Sequence, residues 1–324
     1  MGFDEKDIEN IIEIQFEEDI MKIQFEFCLQ EVEPTRGDEE VFDDTPNVLY
    51  HYTSGEGLLG IIKNKEIWAT NVRYMNDISE LEYGCKIIKD SIIKFKERNQ
   101  SEHILNVVLD YFLNEEISDF EREWDVYIAC FCKNGDKLSQ WRGYGGNGDG
   151  FSIGIHRSSF RLASWFSLIK VIYTEEEQEA RVFKILNDYC CAINIFIKKY
   201  PTLDKNYLIN YCEEKITNEL LNLAFTFKNK VFDEEEEWRI IKFNDRNWGI
   251  INVEFRTNKG EIIPFTKIRF DNSASDSVNL NTIKQIYIGP TLEPLKTKIT
   301  TEMLLRKYGF NQTGVKSSEI PYRP

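Results

Sequence analysis

Apolar residues at three- and four-residue spacing open the chain: Ile8, Ile11, Ile12 and Phe16, then Ile20, Ile23 and Phe27. That spacing gathers them into one stripe and predicts an amphipathic helix over residues 5–30. The stretch "EVEPTRGDEEVFDDTPN" is acidic and rich in breakers, which predicts a linker or surface loop. From Val48 the texture changes. "VLYHY" predicts a short strand, "SGEGLLGIIKN" a helix with a Ser/Gly start, and "IWATNV" a second strand. "DISELEYGCKIIKDSIIKFKERN" predicts a helix capped by Asp77 or Ser79, and residues 102–123 another. "VYIACFC" and "FSIGI" predict buried strands either side of the turn "GYGGNGDG". Residues 175–227 form a helical tract broken at "KYPTLD". "EEWRIIKF", "INVEFRT", "EIIPFTKIRF" and "IKQIYIGP" predict four more strands, followed by a helix near 292–307 and a C-terminal extended segment.

Helices and strands mix here without the regular alternation of a doubly wound sheet. The expected class is α+β, with small strands around a central cleft and a helical insertion at about 175–230. Residues 1–47 are expected to form a separate helix and acidic linker, ahead of one domain over 48–324.

Composition narrows the function. Asp plus Glu number 55 against 40 Lys plus Arg, a formal charge of −15. That balance opposes long-range attraction to nucleic acid or anionic membranes and suits a small diffusing ligand or a basic partner. Seven cysteines without a CxxC pair predict reduced thiols rather than a disulfide framework or zinc site. Neither a basic-then-apolar leader nor an apolar run near the ~20 residues of a membrane helix is present, so a soluble cytoplasmic protein is expected. The amphipathic segment 5–30 is a candidate arm for a protein partner, with docking on the main body as the alternative.

Two glycine patterns fail on context. "GFSIG" has the spacing of a nucleophile elbow, but a loop precedes Ser152 and strand residues follow it. Gly143, Gly145 and Gly148 fit G-x-G-x-x-G, yet they open into a strand rather than a helix. Walker A, HExxH and EF-hand patterns are missing, so metal dependence is not expected.

Four segments concentrate polar and aromatic groups at strand ends: "HYTS" at 51, "RYMND" at 73, "SQWRGYG" at 139 and "FDEEEEWRII" at 232. An extended chain would put Glu235, Glu237 and Arg239 on one face and Trp238 and Ile240 on the other. Each candidate also has a plainer reading. His51 is alternatively a hydrogen-bonded core histidine, and Tyr52, Tyr74 and Trp141 core or rim aromatics. Arg239 is alternatively a cross-sheet partner of Glu237, and Asn76 and Asp77 helix caps.

"LYHYTSGEGLLGIIKNKEIWATNVRYMNDISELEYG", "LSQWRGYG", "FDEEEEWRII", "IYIGP" and "SSEIPYR" together resemble a bacterial domain family of unknown function. More remotely, the His-ending strand followed by "GLLGIIKNKEIWAT" is similar to the opening of ADP-ribosyltransferase-type domains, which include bacterial toxins. That resemblance implies an NAD-consuming enzyme, acting as an intracellular toxin or phage-defence effector on a protein or nucleic acid. It implies that His51 anchors a ribose of NAD and that Glu237 is the catalytic carboxylate, with Glu235 as the earlier acid of the pair. The remaining candidate cofactor contacts are Tyr52, Thr53 and Ser139, with Arg73, Arg142 or Arg239 suited by charge to the pyrophosphate and Tyr74, Trp141 and Tyr144 competing to stack on nicotinamide. Under this reading His51 and Glu237 face one cleft. NAD hydrolysis at the same site is the near alternative, and a silent nucleotide- or protein-binding module the distant one.

Overall fold

Val48–Thr53 buries Leu49 and Tyr52 and forms β1, after which Ser54 stops the strand and starts a helix. The Ser54 hydroxyl accepts from the Gly57 amide at 3.2 Å and caps α1, Gly55–Asn64, as the Ser/Gly start predicts. Lys65 ends α1 in the left-handed conformation, and β2, Glu66–Asn71, leaves directly from it. The computed structural model describes residues 46–75, 79–101, 103–115, 124–144, 149–159, 166–201, 204–245, 253–258, 260–269, 282–291 and 293–321. The expected N-terminal helix, most of its linker, and the candidate caps Asn76 and Asp77 lie outside these residues.

The elements that follow are α2 (Ser79–Arg98), α3 (His103–Asn114), β3 (Trp124–Cys132), α4 (Leu138–Tyr144), β4 (Phe151–His156) and β5 (Phe166–Lys170). Two long helices come next, α5 (Glu175–Lys199) and α6 (Lys205–Ala224). A 3-10 turn over Lys230–Glu235 leads into β6 (Glu237–Asp245), then β7 (Glu254–Asn258), β8 (Glu261–Arg269), β9 (Ile283–Ile288), α7 (Pro294–Lys307) and β10 (Gly314–Ser317). Helix and strand thus mix as α+β. The strands, however, join one ten-stranded mixed sheet instead of surrounding a cleft as small separate pieces. Neither β5 nor α4 is foreshadowed by sequence pattern, since both are too short to show a period.

The chain divides into two compact units, one built on α2, α3, α5 and α6 and the other on the sheet with α1, α4 and α7. In the helical unit Ile88, Ile92 and Phe95 of α2, Val108 and Phe112 of α3, Leu186 and Ile193 of α5, and Ile216 and Leu220 of α6 are all buried. Thr174 and Asp204 cap α5 and α6, accepting from the Glu177 and Asn206 amides. Lys198 and Lys199 close α5 where its carbonyls gather negative charge. In the sheet unit one core joins Leu58, Ile61 and Ile62 of α1 and Leu305 of α7 to Leu49, Phe131, Ile153, Trp238, Ile240 and Ile286 of the sheet. Among the described residues no helix is long and apolar enough to cross a membrane.

Two helical glycines make opposite predictions. A Cβ on Gly84 of α2 would stand 2.4 Å from the Ala224 carbonyl oxygen of α6, a backbone atom that cannot swing aside. Gly84→Ala should cost about 1–3 kcal/mol by forcing the two helices apart. A Cβ on Gly60 of α1 would meet nothing within 4 Å, so Gly60→Ala should gain about 0.5–1 kcal/mol. Urea unfolding of the two variants, compared with the parent, checks both signs.

Candidate functional site

Strand β3 organises the site. Its whole length pairs with β6, from Trp124↔Asp245 to Cys132↔Glu237. The other edge is shared: β1 holds the end, Tyr50↔Cys132, and β2 the middle, Thr70↔Ile128 and Asn71↔Tyr127. The sheet therefore forks along β3, and His51 is the first residue of β1 past its pairing with β3. The His51 imidazole bridges the gap, its Nδ1 2.9 Å from the Cys130 carbonyl oxygen. A carbonyl only accepts, so Nδ1 carries the proton and Nε2 keeps a lone pair in the neutral ring. Burial pushes the His51 pKa below 6.5, against a smaller upward pull from the Cys130 carbonyl. The ring also lies 5.6 Å from that of Phe131.

The register corrects one expectation directly. Paired residues of an antiparallel ladder share a face, and neighbours along a strand do not. Tyr50, Cys132 and Glu237 form one cross-strand row, so their side chains lie on one face. His51, with Phe131, belongs to the other. His51 and Glu237 flank the same end of β3, about 10 Å apart backbone to backbone, but on opposite faces.

Glu237 is 4% exposed and Arg239 2%. They form a bidentate pair, Arg239 Nε donating to Oε1 at 2.8 Å and Nη2 to Oε2 at 3.0 Å. The pairing runs along β6 rather than across the sheet. It joins two residues of equal parity, which is the alternation expected for Glu237 and Arg239. Glu235 does not share that face, because it ends the 3-10 turn and Glu236 takes φ +44° before the strand begins. The extended run stops at Glu237.

"HYTS" and "SQWRGYG" do meet, but as core. Tyr52 is 7% exposed and Trp141 fully buried, their rings edge to face at 4.8 Å. The Tyr52 hydroxyl donates to the Asn134 carbonyl at 2.9 Å and accepts from the Lys137 amide at 3.0 Å, and burial raises its pKa. Trp141 Nε1 donates to Asp136 Oδ1 at 2.8 Å. Neither ring has a free face for nicotinamide. Thr53 ends β1 half-buried, and the Ser139 hydroxyl is buried with no hydrogen-bond partner among the described residues. Arg142 and Tyr144 are exposed at the end of α4. "RYMND" does not join them. Arg73 pairs with Asp125 at 2.9 Å, near the opposite end of β3, and the run from Asp125 to Cys132 spans ~23 Å. Tyr74, 41% exposed, follows Arg73 there.

Sequence reasoning passed over Asp136. Its carboxylate takes the Trp141 indole, the Ser318 hydroxyl at 2.6 Å and the Glu319 amide at 3.0 Å, so it ties the C-terminal "SSEIPY" to α4. The only signal was the turn "NGD" ahead of "SQW". Gly135 in that turn is forced: a Cβ there would stand 2.4 Å from the Tyr50 ring and 2.9 Å from that of Tyr287. Among the described residues no group of three or more His, Cys, Asp or Glu is placed to hold a metal ion.

Residues 140–240 match the family described as "Protein of unknown function (DUF2971)", under a third of the chain, from α4 into the first half of β6. No curated protein and no solved structure matches the chain.

The His51 geometry predicts a pH dependence. Its folded-state pKa lies below the unfolded 6.5, so folding favours the neutral ring. The stabilisation it supplies is complete above pH 6.5 and is lost as pH falls through that value toward the lowered folded pKa. In His51→Asn the amide still reaches the Cys130 carbonyl but does not titrate. The melting-temperature gap between parent and variant should therefore narrow, or reverse, between pH 7.5 and pH 5.

Proposed function

We propose that the sheet unit binds NAD at the fork between β1 and β2 and breaks its nicotinamide–ribose bond, passing ADP-ribose to a macromolecular acceptor. The observation that carries this reading is the state of His51. A neutral imidazole with Nδ1–H committed to a backbone carbonyl has an oriented acceptor left at Nε2, suited to a ribose hydroxyl. An ammonium or imidazolium in that position offers no acceptor. The resemblance of the strand–helix opening to ADP-ribosyltransferase-type domains supports the same role.

Bond cleavage leaves positive charge on the ribose C1′ as the electron pair departs with nicotinamide, and a fixed carboxylate nearby lowers that barrier. Glu237 is the proposed carboxylate. Its side chain lies on the opposite face of the sheet from His51 and is engaged with Arg239, so this role rests on the resemblance and not on a shared cleft. An acceptor hydroxyl or amine then attacks C1′ and loses its proton; with water in its place the reaction is NAD hydrolysis. An intracellular toxin or phage-defence effector is the biological setting proposed.

A second reading, a nucleotide-binding module without turnover, is favoured by the buried Glu237–Arg239 pair. A carboxylate that neutralises a buried guanidinium has a structural task whether or not any substrate arrives.

The two readings separate on purified protein. Glu237→Gln alone removes the bidentate carboxylate from the buried Arg239 guanidinium and should destabilise by about 3–5 kcal/mol, which confuses any loss of activity. Glu237→Gln with Arg239→Gln replaces the ion pair by neutral amides and recovers part of that loss. On the catalytic reading the folded double variant releases nicotinamide at least ~100-fold more slowly than the parent. His51→Ala instead weakens NAD binding about tenfold or more through loss of one oriented hydrogen bond. Parent-like nicotinamide release from the double variant would remove Glu237 from the chemistry. NAD binding to the parent without any release would leave the binding module standing.

A further inference from the structure

The sheet unit holds a polar concavity at its β9–β10 end. At the β9–β10 end of the strand order, a cavity of about 480 Å³ is lined by Asp136, Tyr287, Lys298, Lys316, Ser317 and Glu319. Its walls come from five places in the chain. Tyr287 and Lys316 are register partners on β9 and β10, Lys298 stands on α7, and Asp136 and Glu319 belong to the turn and the tail joined at the Asp136 carboxylate.

The charges of this lining are not equivalent. Asp136 accepts three hydrogen bonds, from the Trp141 indole, the Ser318 hydroxyl and the Glu319 amide, so its carboxylate is occupied by the fold. That leaves the ammonium groups of Lys298 and Lys316, the hydroxyls of Ser317 and Tyr287, and one carboxylate, Glu319. The Tyr287 ring is set in place by Tyr50, 5.9 Å away centroid to centroid, and by the backbone of Gly135, which admits no side chain. Lys316 Nζ lies 5.9 Å from the same ring centroid. One cation beside a fixed aromatic ring, a second on the α7 wall of the same cavity, and hydroxyl donors match an anion that also carries a flat or sugar-like body. The volume falls within the ~300–1,000 Å³ of small-molecule sites.

We propose that this cavity binds a nucleoside monophosphate. Lys298 and Lys316 meet the phosphate, the Tyr287 ring faces the nucleoside, and Glu319 accepts from a ribose hydroxyl or a base N–H. The site is separate from the fork. Tyr287 lies on β9, and β4 and β1 intervene between it and β3. The inference therefore stands or falls independently of NAD cleavage.

The test is calorimetric titration of the full chain with AMP, adenosine and inorganic phosphate, repeated on Lys298→Gln, Lys316→Gln and His51→Ala. Both lysines lie at the surface, so their variants should keep the parent melting temperature. AMP is expected to bind in the micromolar range, each lysine variant to weaken it about tenfold, and adenosine and phosphate each to bind at least tenfold more weakly than AMP. His51→Ala should leave AMP affinity unchanged. No AMP binding at millimolar concentration overturns the proposal, as does AMP binding that ignores both lysine variants. Phosphate binding as tightly as AMP removes the nucleoside from the site and equally overturns it. An affinity that falls in His51→Ala and not in the lysine variants moves the nucleotide to the fork and also refutes the cavity.

Discussion

Strand β3 gives one edge wholly to β6 and divides the other between β1 and β2, and this division determines where each candidate residue lies. Because β1 leaves β3 after Tyr50, the Cys130 carbonyl faces the gap and His51 occupies it with an N–H. An unpaired buried carbonyl would cost about 1–3 kcal/mol, so the imidazole has a stabilising task independent of any ligand. The same ladder makes Tyr50, Cys132 and Glu237 one row. A one-residue slip of β1 would bring His51 to the face of Glu237 and turn Leu49 out of the core, and the apolar pattern of "VLYHY" forbids that slip. The separation of the two residues is thus enforced by packing.

Asp136 closes the opposite face in a comparable way. One carboxylate gathers an indole N–H, a hydroxyl and a backbone amide from two distant parts of the chain. Each bond to a charged acceptor contributes about 1.5–3 kcal/mol, and removing the carboxylate would leave the fully buried Trp141 donor without a partner. The tail that it holds also forms one wall of the lysine-lined cavity. Cohesion and concavity at this end of the sheet therefore share a single group.

Local signals made much of the fold readable. Ser54 as a cap, the break between α5 and α6 at "KYPTLD", and the apolar run of β3 each rest on residues within a few positions of one another. What escaped depends on long-range pairing. The Ser318–Asp136 bond joins residues 182 apart, and nothing local at Asp136 distinguishes it from a turn aspartate. The E-x-E reading of Glu235 and Glu237 assumed an extended chain through both, and the positive φ of Glu236 cannot be seen in a run of four glutamates. Trp141 enters as a stacking candidate through the resemblance alone, and its burial follows from Tyr52 and Asp136 meeting around it, a tertiary event. The parity of His51 against Glu237 likewise requires the register of three strands, whereas sequence supplies parity only within each one.

A chain with formal charge −15 is an unpromising host for an anionic nucleotide at long range. At physiological ionic strength, however, charges beyond about 8 Å are largely screened, so a ligand inside either site responds mainly to its immediate neighbours. At the fork those are a neutral imidazole and backbone groups, which select by hydrogen-bond direction. In the cavity they are two ammonium groups and the Glu319 carboxylate, with the Asp136 carboxylate held by the fold. The acidic exterior then acts on larger partners. It disfavours loose association with nucleic acid, whose many phosphates add up over a wide surface, while leaving a small anion almost unhindered. If ADP-ribose is passed to a macromolecule, that acceptor must approach through a local exception to the prevailing charge, and a neutral or basic protein surface meets that condition more readily than a duplex does.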